Sequence, residues 1–499
     1  MIRKNAGRRI SSFTVAIVGG GFAGAALAAQ LLRKSLGTVS VILIEKSARI
    51  GRGVPYGTPC GEHLLNVPAR SMSIFPDDLE HFLRWAQLNR GIGVKPGDYL
   101  PRQVYGHYVA SVLQHEIDLH PSRFQRVQDE AVDVTRVDGA AEIRLRCGQT
   151  VFADKVVLAL GNFPPGDPRL PGKTPHSLHY VSDPWAPGAL VRFDADGDKA
   201  DDDNNDKHDR NRDGTGVLLV GSGLTSVDVA ISLRSRGFRG PIHLLSRRGL
   251  LPQSHKTCAV WPPFWDEHGP RTARGLLRLV RAQVEAAEAR GNGWRAVIDS
   301  LRPFTSTIWR SLSRKEQRKF LRHVRPYWEV HRHRVATEIG VTLASQIENG
   351  QILIHAGRIA KYEEDADGVD VTYHNRKTAT LERLRVKRVI NCTGPEVDCR
   401  RIENLLLNNL LRQKLVRPDP LFLGLDTSEH GALIDTRGEP SDFLYTIGPS
   451  RKGSLWETTA VPEIRVQAFH MSTLLLSACE REEIKSIEHE PSADLHSAA

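Results

Sequence analysis

Short apolar runs, each stopped by glycine or by a charged residue, recur along this 499-residue chain and alternate with longer stretches of helical spacing. Val15-Ala16-Ile17-Val18 runs into Gly19, Ala25 to Leu32 is helix-forming, and Val39 to Ile44 ends on Glu45. The pattern returns as Val217-Leu218-Leu219-Val220 before Gly221, a helix over Val227 to Arg234, and Ile242-His243-Leu244-Leu245 before Ser246. Runs that are apolar on both faces suit a parallel sheet covered by helices. Two further buried-type strands, Asp154 to Leu160 and Val386 to Cys392, stop on Gly161 and Gly394, and Phe443 to Ile447 stops on Gly448. Glu142 to Arg146 with Val151 to Leu160 reads as a small antiparallel piece. Leu79 to Leu88, Tyr105 to His115, Gly275 to Ala289, Trp294 to Leu301 and Arg314 to Ala336 read as helices.

The turn between the first strand and helix carries chemistry. Gly19, Gly21 and Gly24 form G-x-G-x-x-G: the first permits a tight turn, the second lets backbone N–H groups approach a pyrophosphate, and the third lets helix and strand pack closely. Glu45, followed by Lys46, stands about 20 residues beyond, where a carboxylate accepts hydrogen bonds from a ribose and repels a 2′-phosphate. This cradle suits FAD or NAD. The second one keeps Gly221 and Gly223, with Ser226 in place of the third glycine; serine is small enough for a helix–strand contact. Its second strand ends on Ser246-Arg247-Arg248, with no carboxylate and two guanidinium groups, which suits a 2′-phosphate. The expected ligand is NADP, with NAD as the alternative.

Arg49 to Met72 is rich in Gly and Pro and includes Arg52, Asn66 and Val67. It is either a loop whose backbone approaches a flavin ring or an ordinary surface loop. Near the C-terminus a helix begins at Val461-Pro462-Glu463, with Thr458 or Thr459 as its cap and Glu457 just before. Aimed at a flavin, its positive end would stabilise charge gathered on reduction.

Composition is that of a soluble globular protein, with 40% hydrophobic and 25% charged residues. Six scattered cysteines without C-x-x-C suggest neither a disulfide framework nor a zinc ribbon, and favour a reducing compartment. Arg3, Lys4, Arg8 and Arg9 precede an uncharged run from Ile10 to Leu32 that imitates a leader, but cleavage near Ala26-Leu27-Ala28 would remove the phosphate loop, so a cytoplasmic location is expected. No other segment is apolar and long enough to span a membrane. Residues 194–214, dominated by Asp, Asn, Lys and Arg, are expected to be disordered. Asp209 to Gly214 copies the opening of an EF-hand loop, but its twelfth position is Val220, so calcium is not expected. The formal +10 is concentrated between Arg271 and Gly340, where 16 Lys/Arg face 6 Asp/Glu. A solvated helical face accounts for it better than nucleic acid, for which no motif is present. His331-Arg332-His333-Arg334 points its histidines in different directions with no carboxylate to complete a set, so no metal is expected.

With both cradles in place, the chain resembles the two-dinucleotide-binding-domain flavoproteins and, within them, the bacterial FAD/NAD(P)-binding YdhS-like group. Arg52-Gly53-Val54-Pro55-Tyr56-Gly57, Leu65-Asn66-Val67-Pro68, Ser246-Arg247-Arg248-Gly249 and Trp456 to Arg465 carry that resemblance. It implies an α/β fold with two Rossmann-like domains. A discontinuous FAD domain (1–165 and 386–499) would enclose an NAD(P) domain (166–385) bearing a helical insert (270–340). It also implies FAD in the first cradle, NADP in the second and hydride passing between them to serve a small-molecule substrate. No C-x4-C follows Glu45, so dithiol chemistry is excluded for want of a second thiol near Cys60. A monooxygenase is the leading expectation, a flavin dehydrogenase or reductase the alternative, and a non-catalytic nucleotide-binding regulator the reading from another class. Arg302, Arg332 and Arg334 are the candidate anchors for an anionic substrate.

Overall fold

The structure is a computed structural model in which residues 13–35, 37–174, 177–190 and 216–488 are described. The 194–214 insertion and its EF-hand-like opening lie outside them, as do the N-terminal basic residues. The chain begins with β1 (Phe13–Val18), α1 (Phe22–Lys34) and β2 (Val39–Ile44), longer at the helix than the sequence pattern predicts. Every residue of α1 from Phe22 to Leu32 is buried. Then come α2 (Gly53–Tyr56), α3 (His81–Arg90), α4 (Arg102–Leu119), β3 (Phe124–Val127), β4 (Ala131–Val137), β5 (Ala140–Leu145), β6 (Thr150–Ala153) and β7 (Lys155–Leu158). The single strand expected over Val151 to Leu160 is two. β6 pairs antiparallel with β5 and β7 pairs parallel with β1, and Asp154 turns the chain between them by accepting from the Thr14 amide at 2.6 Å.

The second unit runs through β8 (Tyr180–Val181), β9 (Val217–Val220), α5 (Leu224–Ser235) and β10 (Ile242–Ser246). Its helical insert is α6 (Ala273–Glu288), α7 (Trp294–Ser300), α8 (Thr305–Ser311), α9 (Arg314–Lys319) and, after a π-helical turn at Phe320–Val324, α10 (Arg325–Arg332). The one helix expected over 314–336 is thus broken, and it stops at Arg332 because Val335 leaves to donate to the Gln253 carbonyl at 3.0 Å. Next are α11 (Thr337–Glu348), β11 (Ile352–Glu364), β12 (Val369–Asn375), β13 (Leu381–Val386) and β14 (Arg388–Asn391). The chain closes with α12 (Leu405–Arg412), β15 (Ala432–Ile434), β16 (Pro440–Thr446), α13 (Lys452–Leu455) and α14 (Val461–Glu488).

Two main sheets result, ordered β15-β16-β7-β1-β2-β3 and β13-β12-β11-β10-β9-β14-β8, with a small β4-β5-β6 sheet beside the first. Parallel pairing at the centre of each, with helices outside, makes this an α/β fold of two Rossmann-like units. A boundary at 386 is corrected by the pairing: β14 lies beside β9 in the second sheet, and the chain returns to the first sheet only with β15 and β16. The two units are internally alike. Each first glycine has positive φ, +108° at Gly19 and +122° at Gly221, and a Cβ on either would meet the carbonyl oxygen that follows the neighbouring strand, Ala159 or Cys392, at 2.3 Å. No helix among the described residues is long and apolar enough to cross a membrane.

Candidate functional site

Both cradle helices start on glycine. Gly21 before α1 and Gly223 before α5 offer no side-chain cap, and neither first turn holds an acid, whereas Thr272, Ser313 and Asn404 each cap their helices with a side-chain oxygen. Free N–H groups at the positive end of a helix form an anion site. In the first cradle the Glu45 carboxylate accepts from the Gly20 amide at 2.6 Å and the Ser47 amide at 2.7 Å, which leaves each oxygen with a lone pair free to accept a further donor. Gly51 donates to the Gly20 carbonyl at 2.7 Å, so the Arg49–Gly57 segment is docked on the phosphate turn and is not an ordinary surface loop. Lys46 is exposed and its nearest acid is Glu130 at 4.0 Å.

The second cradle is basic. Arg247 is exposed, and its pKa is lowered by burial of part of the side chain and then by the guanidinium groups of Arg325, Arg248 and Arg358. Such like-charge crowding is relieved by an anion. Arg248 rests over the Tyr327 ring, 5.6 Å from its centroid. Ser226, which stands at the third-glycine position, is fully buried beside the Cys392 thiol just after β14.

Between the cradles lies a cavity of about 300 Å³. Its wall takes Pro55, Tyr56, Asn66 and Val67 from the docked loop, and Asn162 and Gly394 from the ends of the two glycine-stopped strands. Leu224 and Thr225 come from the start of α5, and Thr459, Ala460 and Val461 from the start of α14. Gly161 and Gly394 have positive φ, +69° and +86°, with open space where a Cβ would stand. The units are joined around this cavity. Arg102 forks onto Asp228 at 2.6 and 3.1 Å, and His63 Nε2 lies 2.9 Å from both the Asp228 carbonyl and Ser232 Oγ. His255 reaches the Asn66 carbonyl at 3.0 Å; burial first, and Arg334 second, lower its pKa to about 4, so it is a neutral donor at pH 7.

Other expected residues are placed behind the cavity. Thr458 does not cap α14, which begins at Val461: its hydroxyl donates to the Gly448 carbonyl at 2.8 Å and accepts from Gln467. Glu457 accepts from the Trp328 indole at 2.7 Å and faces His333 at 3.6 Å. Arg52 is half-buried against α4. Arg302 and Arg332 both pair with Glu463, at 2.9 and 3.1 Å, and Arg334 pairs with Asp299, so the three expected anchors are already engaged by carboxylates of the chain. Arg102, Asp228, His63 and Trp185 line the cavity and were not foreseen. Asp228 stands in a helix where nothing local marks its partner. Among the described residues no group of three His, Cys, Asp or Glu is arranged to hold a metal.

Burial alone would raise the Glu457 carboxyl, but His333, Arg332, the Trp328 N–H and Lys452 outweigh it and hold it below its ordinary 4.5. A depressed carboxylate contributes stability above its unfolded pKa that is lost as pH falls through the folded one. His333, pushed down by burial, acts in the same direction. Urea midpoints at about pH 5.5 and 3.5 should therefore show wild type losing more than Glu457→Gln over that interval. Parallel losses would mean that the charge at 457 contributes nothing.

Residues 16–163 match a family model described as FAD-NAD(P)-binding. No curated protein matches the chain in sequence. Among solved structures, the reduced form of an ornithine hydroxylase from Pseudomonas aeruginosa is 13% identical with a TM-score of 0.58, covering 93% of this chain and 99% of its own. An ornithine N-hydroxylase from Kutzneria sp. 744, with reduced FAD, NADP+ and L-ornithine, is 14% identical with a TM-score of 0.57, over 94% and 99%. L-lysine 6-monooxygenase from Pseudomonas syringae is 16% identical with a TM-score of 0.57, over 94% and 99%. The chain shares their fold over nearly its whole length.

Proposed function

We propose that this chain is an FAD-dependent oxidoreductase that takes hydride from NADPH and acts, in the manner of a monooxygenase, on a small-molecule substrate. The observation that carries the reading is the shared cavity, whose wall takes residues from both units beside the two cradles, so that one ring from each nucleotide can meet there. Gly19, Gly21, Gly24 and Glu45 would hold the FAD, with Arg52, Asn66, Val67, Gly161, Gly448 and the start of α14 around it. Gly221, Gly223, Ser226, Gly394, Arg247 and Arg248 would hold NADPH. Bound FAD supplies two-electron redox chemistry and reactivity with oxygen; the protein binds, orients and excludes water. The FAD-NAD(P)-binding match and the hydroxylase and monooxygenase neighbours support this reading. The Arg52–Gly57 and Trp456–Arg465 motifs support membership of the YdhS-like group.

The test is to purify the protein, identify its flavin, and compare anaerobic flavin reduction by NADPH and NADH. A charge-assisted hydrogen bond is worth about 1.5–3 kcal/mol, so Arg247→Ala should reduce the preference for NADPH by about 10- to 100-fold. A colourless protein that cannot be reconstituted with FAD would end the proposal. Oxygen uptake without matching peroxide release, in the presence of substrate, separates a monooxygenase from a plain reductase.

A further inference from the structure

The helical insert borders a second space, a half-open chamber of about 620 Å³, within the size range of small-molecule sites. Its walls come from α6, α7, α8, the π-helical turn, α10 and Trp456. Aromatic rings dominate: Trp265, Trp294, Trp309, Trp328 and Trp456 all face it, together with Phe320. From α6, Leu276, Val280 and Val284 lie one above another at helical spacing and are only half-buried, so the apolar stripe of that helix borders the chamber while its edges pack against the small clusters around Trp261 and Trp309. Among the described residues the only Asp, Glu, Lys or Arg side chains on the wall are Arg281 and Glu285, both exposed and one turn apart on α6.

Two features set this chamber apart from a packing defect. Its wall includes the π-helical turn Phe320–Val324, and such turns concentrate at functional sites. Its inner end is Trp456, which has φ +62°, an arrangement that costs a non-glycine residue about 1–3 kcal/mol and persists where surroundings enforce it. Stacking on Trp309 at 5.0 Å and an edge contact with Phe320 at 5.1 Å supply that enforcement. The Trp456 indole N–H is buried without a hydrogen-bond partner among the described residues. The chamber also abuts the shared cavity: His331 and Trp456 line the chamber, while His333 and Thr459, two and three residues on, line the cavity.

We infer that this chamber is the substrate pocket and that its substrate is a neutral, apolar, ring-bearing molecule and not a charged amino acid. The inference rests on the oxidoreductase reading only in calling the occupant a substrate. An ammonium or carboxylate entering the chamber would lose water and meet no buried Asp, Glu, Lys or Arg among its described wall residues, since Arg281 and Glu285 are both exposed. An apolar ring gives up no hydrogen bond to water on entering and gains contact with the aromatic wall.

Calorimetric titration of the FAD-loaded full chain with indole, and separately with L-lysine, tests this. Indole should bind saturably with a Kd at or below about 1 mM, given its size, and L-lysine should give no saturable heat. Val280→Asp, which puts a charge on the wall, and Val280→Phe, which fills the space with an apolar ring, should each weaken indole binding at least tenfold while flavin content stays at the wild-type level. Absence of saturable indole binding, L-lysine binding in its place, or indole binding unchanged in both variants would overturn the assignment. Indole binding to a chain that proves to hold no flavin would leave the pocket standing and remove the oxidoreductase reading instead.

Discussion

Gly24→Ala is expected to give protein with less than a tenth of the wild-type bound flavin. A Cβ at position 24 would stand 1.8 Å from the Gly19 carbonyl oxygen, 3.0 Å from its carbon and 3.3 Å from Ile17 Cγ2. Two of those atoms are backbone, so no side chain can swing away, and α1 must lift from β1 or the turn must open. Lifting is resisted because α1 is buried from Phe22 to Leu32 and packs against α4 and α14. Overpacking a site of this kind costs about 1–3 kcal/mol, and a backbone obstacle puts the cost at the upper end, about a hundredfold in occupancy. Either movement also displaces the N–H groups at the start of α1 that are to meet the pyrophosphate. Gly93→Ala is the control, since a Cβ there meets nothing within 4 Å. The ratio of flavin to protein absorbance after incubation with excess FAD reads the result. Full occupancy in Gly24→Ala would show that the helix does not need to lie this close to the turn.

What the amino-acid pattern reveals and what it hides divide along physical lines. Gly19 and Gly221 are legible because a positive φ packed against a carbonyl admits no other residue, and a strand before with a helix after fixes the context. The assignment of β14 is not legible: Val386 to Pro395 reads like Asp154 to Asn162, and nothing local says which sheet takes which strand. The 314–336 stretch keeps helical spacing across the π turn, and its end at Arg332 depends on Val335 pairing with a loop far away in sequence. Arg302 and Arg332 look like free cations only until Glu463, more than a hundred residues on, is brought between them. The turn and helix start of each cradle are set by residues close together in sequence. The cavity wall is a product of how two units meet, and Arg102 and Asp228, 126 positions apart, carry no mark of each other.

That pair yields the second large effect. Asp228→Ala should destabilise the protein by about 3 kcal/mol, at the lower end of the range for breaking a buried ion pair because both side chains keep some access to water. Asp228 accepts two N–H groups from Arg102 in a fork, while Arg102 Nε is spent on the Leu64 carbonyl. Removing the carboxylate therefore strands a guanidinium that its third bond holds in place, 16% exposed, with no other acid paired to it among the described residues. The desolvation of that charge, and not the lost attraction, supplies most of the cost. If so, removing both charges should restore what one removal loses: Arg102→Met with Asp228→Leu should recover at least half of the stability in urea unfolding followed by far-ultraviolet circular dichroism. Because the pair bridges α4 of the first unit and α5 of the second at the rim of the shared cavity, the double variant should also show slower flavin reduction by NADPH at restored stability. Strictly additive losses in the two single variants and the double would mean that Arg102 and Asp228 act on the fold independently, and would remove the ion pair as the element that sets the two cradles against each other.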